Sequence, residues 1–128
     1  MGRLKFALLV LMAALYVTAG VLHFVNPGFY LRIMPPWIPW HGFMVAASGV
    51  AEIALGAGLL LPATRRWAAW GVVAMLAVFM LVHVHMMLNP GDYPGVAPAM
   101  LVLRTLLQFP LMLWAWWYTR PELTRAAG

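Results

Sequence analysis

The chain has 128 residues, enough for one domain, and 65% of them are hydrophobic while only 9% are charged. A soluble domain is typically about 45–50% apolar and about 25% charged, so the composition excludes an ordinary soluble fold and predicts an integral membrane protein. The net charge is +5, but the basic residues cluster at the ends of apolar segments, so no nucleic-acid partner is expected. The absence of cysteine excludes disulfides, thiolate metal sites and covalently attached haem.

Four apolar segments predict an all-α fold, a transmembrane four-helix bundle. Each segment has the roughly 20 residues that a helix needs to cross a bilayer, and none shows the alternation required of a β-barrel strand. A single membrane domain over residues 1–128 is expected, with spans at about 6–25, 43–61, 67–88 and 98–118. The first segment lacks a well-placed small-residue cleavage site, so it is expected to be a retained helix rather than a signal peptide.

The distribution of basic residues predicts the orientation of the bundle. If the four helices alternate in direction, Arg32 lies on one side of the membrane with the short third loop. Six basic residues lie on the other side, namely Arg3, Lys5, Arg65, Arg66, Arg120 and Arg125. Cytoplasmic loops carry an excess of lysine and arginine. We therefore expect a multi-pass protein of the bacterial inner (plasma) membrane with both termini in the cytoplasm.

The first outer loop, residues 26–42, combines prolines with residues that prefer the membrane interface. Pro27 is expected to open a short interfacial helix, which the Pro35-Pro36 pair ends. Two interpretations of the loop stay open: an amphipathic connector, or a lid over an outward-facing pocket. The expected hydrophobic and aromatic anchors are Phe29, Tyr30, Ile33, Trp37 and Trp40.

Polar side chains inside the apolar segments are the main candidates for function. An ionisable group at bilayer depth costs roughly 2.5–3.5 kcal/mol, so such groups should face one another or a cavity rather than lipid. Counted at about 1.5 Å per residue from the outer end of each helix, they lie at similar depths in the outer half of the membrane. The candidate ligand-binding residues are Glu52, His83, Arg104, Gln108, His23 and Ser48.

Glu52 and Arg104 are expected to pair with each other. The pair has two interpretations, a structural ion pair or part of a pocket that binds a polar headgroup or relays protons. A buried ion pair is weak evidence for stability, because its desolvation can cancel its attraction, and this favours the pocket. Gly49 and Gly56 flank Glu52 and predict close packing of the second helix against a neighbour.

The two histidines of the third segment are expected to play different parts. His83 and His85 are two residues apart and therefore point to roughly opposite faces of a helix. His83 is the deeper one and is expected to face the bundle, while His85 approaches the interface. Metal ligation by His23, His83 or His85, or haem ligation by two of the histidines, is a weaker alternative, and no metal site is predicted.

The sequence resembles the DoxX-like family of small four-helix membrane proteins. The matching blocks are HFVNPGFY (23–30), MPPWIP (34–39), SGVAEIALGAGLLLPATRRWAA (48–69) and RTLLQFPL (104–111). The third block is the most specific, with glycines spaced around a glutamate and a proline and arginines at the helix end. The resemblance covers about residues 6–118 and implies one bundle of four transmembrane helices.

The resemblance also implies a redox context, since the family name comes from a subunit associated with quinone-linked oxidation of sulfur compounds. It maps onto Glu52, Arg104, Gln108 and His23 but assigns no catalytic residue. The preferred hypothesis is a redox-associated subunit with an outer-leaflet pocket for a quinone or a similar small lipophilic ligand. The alternatives are a proton-coupled transporter, which would need to form a homodimer, and a non-catalytic assembly subunit of a larger membrane complex. The lipid bilayer is the expected partner in every case.

Topology can be tested with a reporter enzyme that is active only outside the cytoplasm. Fused after Gly128, the reporter should stay silent, because the excess of basic residues places both termini inside. The same reporter inserted beside Asp92, in the third loop, should be active and serves as the control. An active reporter at Gly128 together with a silent one at Asp92 would invert the predicted orientation.

Overall fold

The computed structural model describes residues 1–121, and all regular structure in that range is helical. Four helices are long and apolar enough to cross a membrane, which confirms the predicted all-α, four-helix membrane fold. Arg125, which contributed to the predicted orientation, lies outside the described residues. The α-helices are α1 (Arg3–Val25), α2 (Pro27–Ile33), α3 (His41–Leu60), α4 (Arg65–Leu88) and α5 (Pro98–Trp117), and a 3₁₀ turn spans Pro90–Asp92.

The short helix α2 is the interfacial helix predicted in the first outer loop. Pro27 occupies its first turn, where the missing backbone N–H has no partner to lose. Met34 ends it in an extended conformation immediately before Pro35, as a residue that precedes proline prefers. The long helices begin up to three residues before the predicted spans, because helical hydrogen bonding continues past the apolar stretch into the polar flanks.

The closest helix contact is the crossing of α1 and α3, where the two backbones touch. A Cβ atom built on Gly20 would lie 2.6 Å from the carbonyl oxygen of Gly49. A Cβ built on Gly56 would lie 3.0 Å from the carbonyl oxygen of Ala13. Membrane helices associate largely through such close packing of small residues. The predicted role of Gly49 and Gly56 is confirmed, and Gly20 is their counterpart on α1.

The helices follow one another in the order α1, α3, α4, α5, because α3 also contacts α4 and α4 packs closely along α5. The Thr105 hydroxyl lies 2.9 Å from the carbonyl oxygen of Leu101 in its own helix and 3.2 Å from that of His83 in α4. A hydroxyl can rotate between such acceptors. Thr105 therefore ties α5 to α4 at the level of His83.

One end of the bundle, which carries Lys5, Arg65, Arg66 and Arg120, is called the basic end here. It contains the apolar core, formed where α1 and α4 begin and α3 and α5 end. The Tyr118 hydroxyl donates to the carbonyl oxygen of Lys5 at 2.9 Å, joining the end of α5 to the start of α1. The fully buried side chains of this core include Leu9, Met12, Leu59 and Val72.

Replacing Gly20 with alanine should lower the free energy of unfolding by ~1–3 kcal/mol, because the added methyl group would overpack the crossing against backbone atoms of α3. The change is measured by thermal or SDS-induced unfolding of the detergent-solubilised protein. Gly42→Ala is the matched control, since a Cβ at Gly42 meets nothing within 4 Å. Equal stabilities of the two variants would contradict the close crossing.

Candidate functional site

A cavity of about 400 Å³ lies at the end of the bundle opposite the basic end, where α1 and α4 end and α3 and α5 begin. Its volume falls within the range of about 300–1,000 Å³ typical of small-molecule sites. Most of its wall is apolar, and its polar groups include side chains from all four long helices. Five of the six candidate residues line it, namely His23, Ser48, Glu52, His83 and Arg104.

The segment that contains α2 forms one wall of this cavity. This wall is largely apolar and aromatic, and the segment that forms it connects the end of α1 to the beginning of α3. This arrangement favours the lid interpretation of the first outer loop over a plain connector. The lining residues from this segment are Phe29, Tyr30, Ile33, Met34, Trp37 and Ile38.

A hydrogen bond fastens this segment to the end of α4. The indole N–H of Trp37 donates to Nδ1 of His85 at 3.3 Å. The Asn89 amide donates to the carbonyl oxygen of His85 at 2.9 Å and lies 3.5 Å from the same Nδ1. His85 therefore holds the outer segment at the interface, whereas His83 lines the cavity. This is the division between the two histidines that their spacing predicts.

The side chains of Glu52 and His23 are in direct contact at the site. Nδ1 of His23 lies 3.1 Å from Oε2 of Glu52, and both side chains are about nine-tenths buried. The same Nδ1 lies 2.8 Å from the carbonyl oxygen of Ala19. Because a carbonyl only accepts, Nδ1 carries a proton directed at Ala19. Glu52 is consequently in close electrostatic contact with His23 but accepts no hydrogen bond from any residue up to position 121.

The glycine crossing explains why these two side chains meet. Gly20 lies one helical turn before His23 on α1, and Gly49 lies one turn before Glu52 on α3. A Cβ on Gly49 would come within 2.8 Å of Cβ of His23. Because α1 and α3 run in opposite directions, His23 lies opposite Gly49, while Gly20 lies opposite Ile53, the neighbour of Glu52. The close approach of the backbones therefore lets the Glu52 and His23 side chains meet across the crossing.

Tyr30 of α2 covers His23 and was missed as a site residue by sequence reasoning. The two rings stack with their centroids 3.7 Å apart and an interplanar angle of 17°. Burial and the nearby Glu52 carboxylate raise the pKa of the Tyr30 phenol above its ordinary value, so the phenol keeps its proton at neutral pH. The signal was the short spacing across Pro27, which folds α2 back over the end of α1.

Arg104 does not pair with Glu52, which corrects the predicted ion pair. Within residues 1–121 the Arg104 guanidinium makes no ion pair or hydrogen bond, although it lines the cavity within electrostatic range of His83. The reason is the order of the helices. α3 presses Glu52 against His23 of α1, while Arg104 stands on α5, whose main neighbour is α4.

Gln108 does not line the cavity, in contrast to the prediction. It lies one turn beyond Arg104 on α5, about 6 Å further into the bundle. Its side chain is buried, and its Oε1 has no hydrogen-bond partner in the described part of the chain. The depth estimate grouped the two residues, but one helical turn separates the cavity from the interior.

Residues 12–119 match the family described as a domain of unknown function, DUF8561, and the chain belongs to this family. The matched range includes all five cavity-lining candidates and the segment that covers them. No curated protein and no solved structure matches the chain.

A double-mutant cycle distinguishes the observed contact from the predicted one. Glu52→Gln and His23→Ala should show a coupling energy of ~0.5–3 kcal/mol in unfolding experiments, as expected for residues in contact. Glu52→Gln and Arg104→Gln should be additive to within about 0.5 kcal/mol, because no direct contact joins them. A larger coupling to Arg104 than to His23 would contradict the geometry of the site.

Proposed function

We propose that the protein binds a small lipophilic molecule with an oxygen-bearing polar head, and that a quinone is the first candidate. The observation that carries this proposal is the cavity itself, whose mainly apolar wall and few polar side chains match the two parts of such an amphiphile. Apolar pockets with a few convergent polar groups are the usual form of small-molecule sites.

The polar and apolar parts of the cavity have separate roles in this proposal. Arg104 and His83 supply donors for oxygen atoms of the head, and Glu52 supplies an acceptor that can exchange protons with it. Trp37 and Phe79 line the same space and offer aromatic surface to an apolar ring. The ligand would be oriented by its head and held by its body.

The proposal includes a redox-associated subunit of the inner membrane, with the cavity towards the outer leaflet and both termini in the cytoplasm. The resemblance to the DoxX-like family supports the redox association. The orientation is supported by the basic residues that stand at the end away from the cavity, Lys5, Arg65, Arg66 and Arg120.

A proton-coupled transporter is less well supported than a binding subunit. A carrier needs a polar path through the membrane, whereas the apolar core of the described residues fills the basic end of the bundle. The other alternative is a non-catalytic assembly subunit, which does not require a ligand in the cavity. The ligand experiment must therefore distinguish a binding subunit from an assembly subunit.

Ligand binding is tested first by mass spectrometry of lipophilic molecules that co-purify with the protein in detergent. A short-chain quinone is then titrated while tryptophan fluorescence is recorded, since Trp37 lines the cavity. Arg104→Gln should weaken binding by about ten-fold or more, because it removes hydrogen bonds from a charged donor. Arg66→Gln is the matched control, as Arg66 is exposed at the basic end.

A helical, monodisperse protein that neither carries a small molecule nor binds the quinone would contradict the proposed function and favour the assembly subunit. Equal weakening by the Arg104 and Arg66 variants would show that the titration reports a general charge effect rather than the cavity.

A further inference from the structure

The cavity contains two polar side chains whose hydrogen-bonding needs are opposite, and no residue of the described range meets either of them. Glu52 is acceptor-only when ionised, and Arg104 is donor-only at any pH. Both line the same cavity, and no hydrogen bond or ion pair joins them in residues 1–121. A ligand that fits both must therefore carry a donor as well as an acceptor.

The need at Glu52 is for a donor. Glu52 is only 5% exposed, and its Oε2 has no hydrogen-bond partner among residues 1–121. The nearest protein donor is Nδ1 of His23, but its proton is directed at the carbonyl oxygen of Ala19. In the ionised form of Glu52, Oε2 is therefore an acceptor to which no residue up to position 121 donates. Leaving a buried acceptor unsatisfied is costly, so a hydroxyl on a bound molecule would be stabilised here.

The need at Arg104 is for an acceptor. The guanidinium carries five N–H donors and stays charged, yet it faces a mainly apolar cavity without a protein acceptor among the described residues. An oxygen atom of a ligand head could accept hydrogen bonds from some of these N–H groups. His83, on the neighbouring helix α4, also lines the cavity and contributes an imidazole to its wall.

We propose that the ligand head donates a hydroxyl hydrogen to Glu52 and accepts a hydrogen bond from Arg104, so that the site prefers a dihydroxy aromatic ring to the corresponding dicarbonyl ring. This inference rests on the proposed function, because it concerns the same cavity. A dicarbonyl head has acceptors only, and one of its oxygen atoms would face the Glu52 carboxylate. Sites built to bond a hydroxyl discriminate strongly against analogues that lack it.

The probes are a short-chain benzoquinone and its hydroquinone, which share a ring and differ by two hydrogen atoms. Both are titrated into the detergent-solubilised protein under anaerobic conditions. The hydroquinone should bind about ten-fold more tightly, as expected for a hydrogen bond to a charged acceptor. Glu52→Gln should bring the ratio of the two Kd values close to one, because an amide can donate as well as accept.

Arg104→Gln serves as the comparison variant within the site. It should weaken binding of both forms by similar factors and preserve their ratio, since each form offers an oxygen acceptor to residue 104. If Glu52→Gln does not fold, the dimethyl ether of the hydroquinone replaces it in the wild-type protein. The ether has no donor and should bind no more tightly than the quinone.

The outcomes separate the two proposals. Binding of neither probe would overturn the proposed function. Equal binding of the two forms, or tighter binding of the quinone, would overturn the donor requirement while leaving the cavity as a ligand site. A preference for hydroquinone that persists unchanged in Glu52→Gln, or is shared by the ether, would also overturn it, because the discrimination would not arise at Glu52.

Discussion

The backbone contact between α1 and α3 is the constraint on which the site depends. Gly20 and Gly49 allow the two antiparallel helices to touch, and this close approach lets the His23 and Glu52 side chains meet across the crossing. A wider crossing would separate the acid from the histidine and leave a buried carboxylate with neither charge nor dipole beside it. The placement of Glu52 is therefore a consequence of small residues that have no polar chemistry of their own.

The two ends of the bundle differ in how completely they are packed. The basic end holds the apolar core, and a hydrogen bond from Tyr118 closes α5 onto α1 there. The other end is less completely packed and accommodates a cavity whose polar groups include side chains from all four long helices. Its outer segment is fastened by the bond between Trp37, which lines the cavity, and His85, which does not. Some side chains that line the cavity therefore also join one helix or segment to another.

The number of helices and the level of the site could be predicted from the sequence, because apolar length and depth are properties of each helix alone. The order of the helices around the bundle depends on how they pack against one another and could not be predicted in this way. For this reason Glu52 was paired with Arg104 instead of His23. Gln108 was misplaced for a different reason: it follows Arg104 by one turn on the same face of α5, and the depth estimate did not show that the cavity ends before that turn. The position of Tyr30 over His23 depends on the direction in which α2 leaves α1. A local turn determines that direction, and the apolar pattern of the sequence does not reveal it.

The glycine crossing also governs how a molecule could reach the cavity. With backbone against backbone, α1 and α3 leave no gap between them. On the other side of α3, Val78 and Leu81 of α4 line the cavity and are also largely exposed on the outer surface of the bundle. That surface faces hydrocarbon in a membrane, so a ligand of the proposed kind would enter sideways from the bilayer. Occupancy would then follow the concentration of a solute dissolved in lipid, which partitioning raises far above its concentration in water.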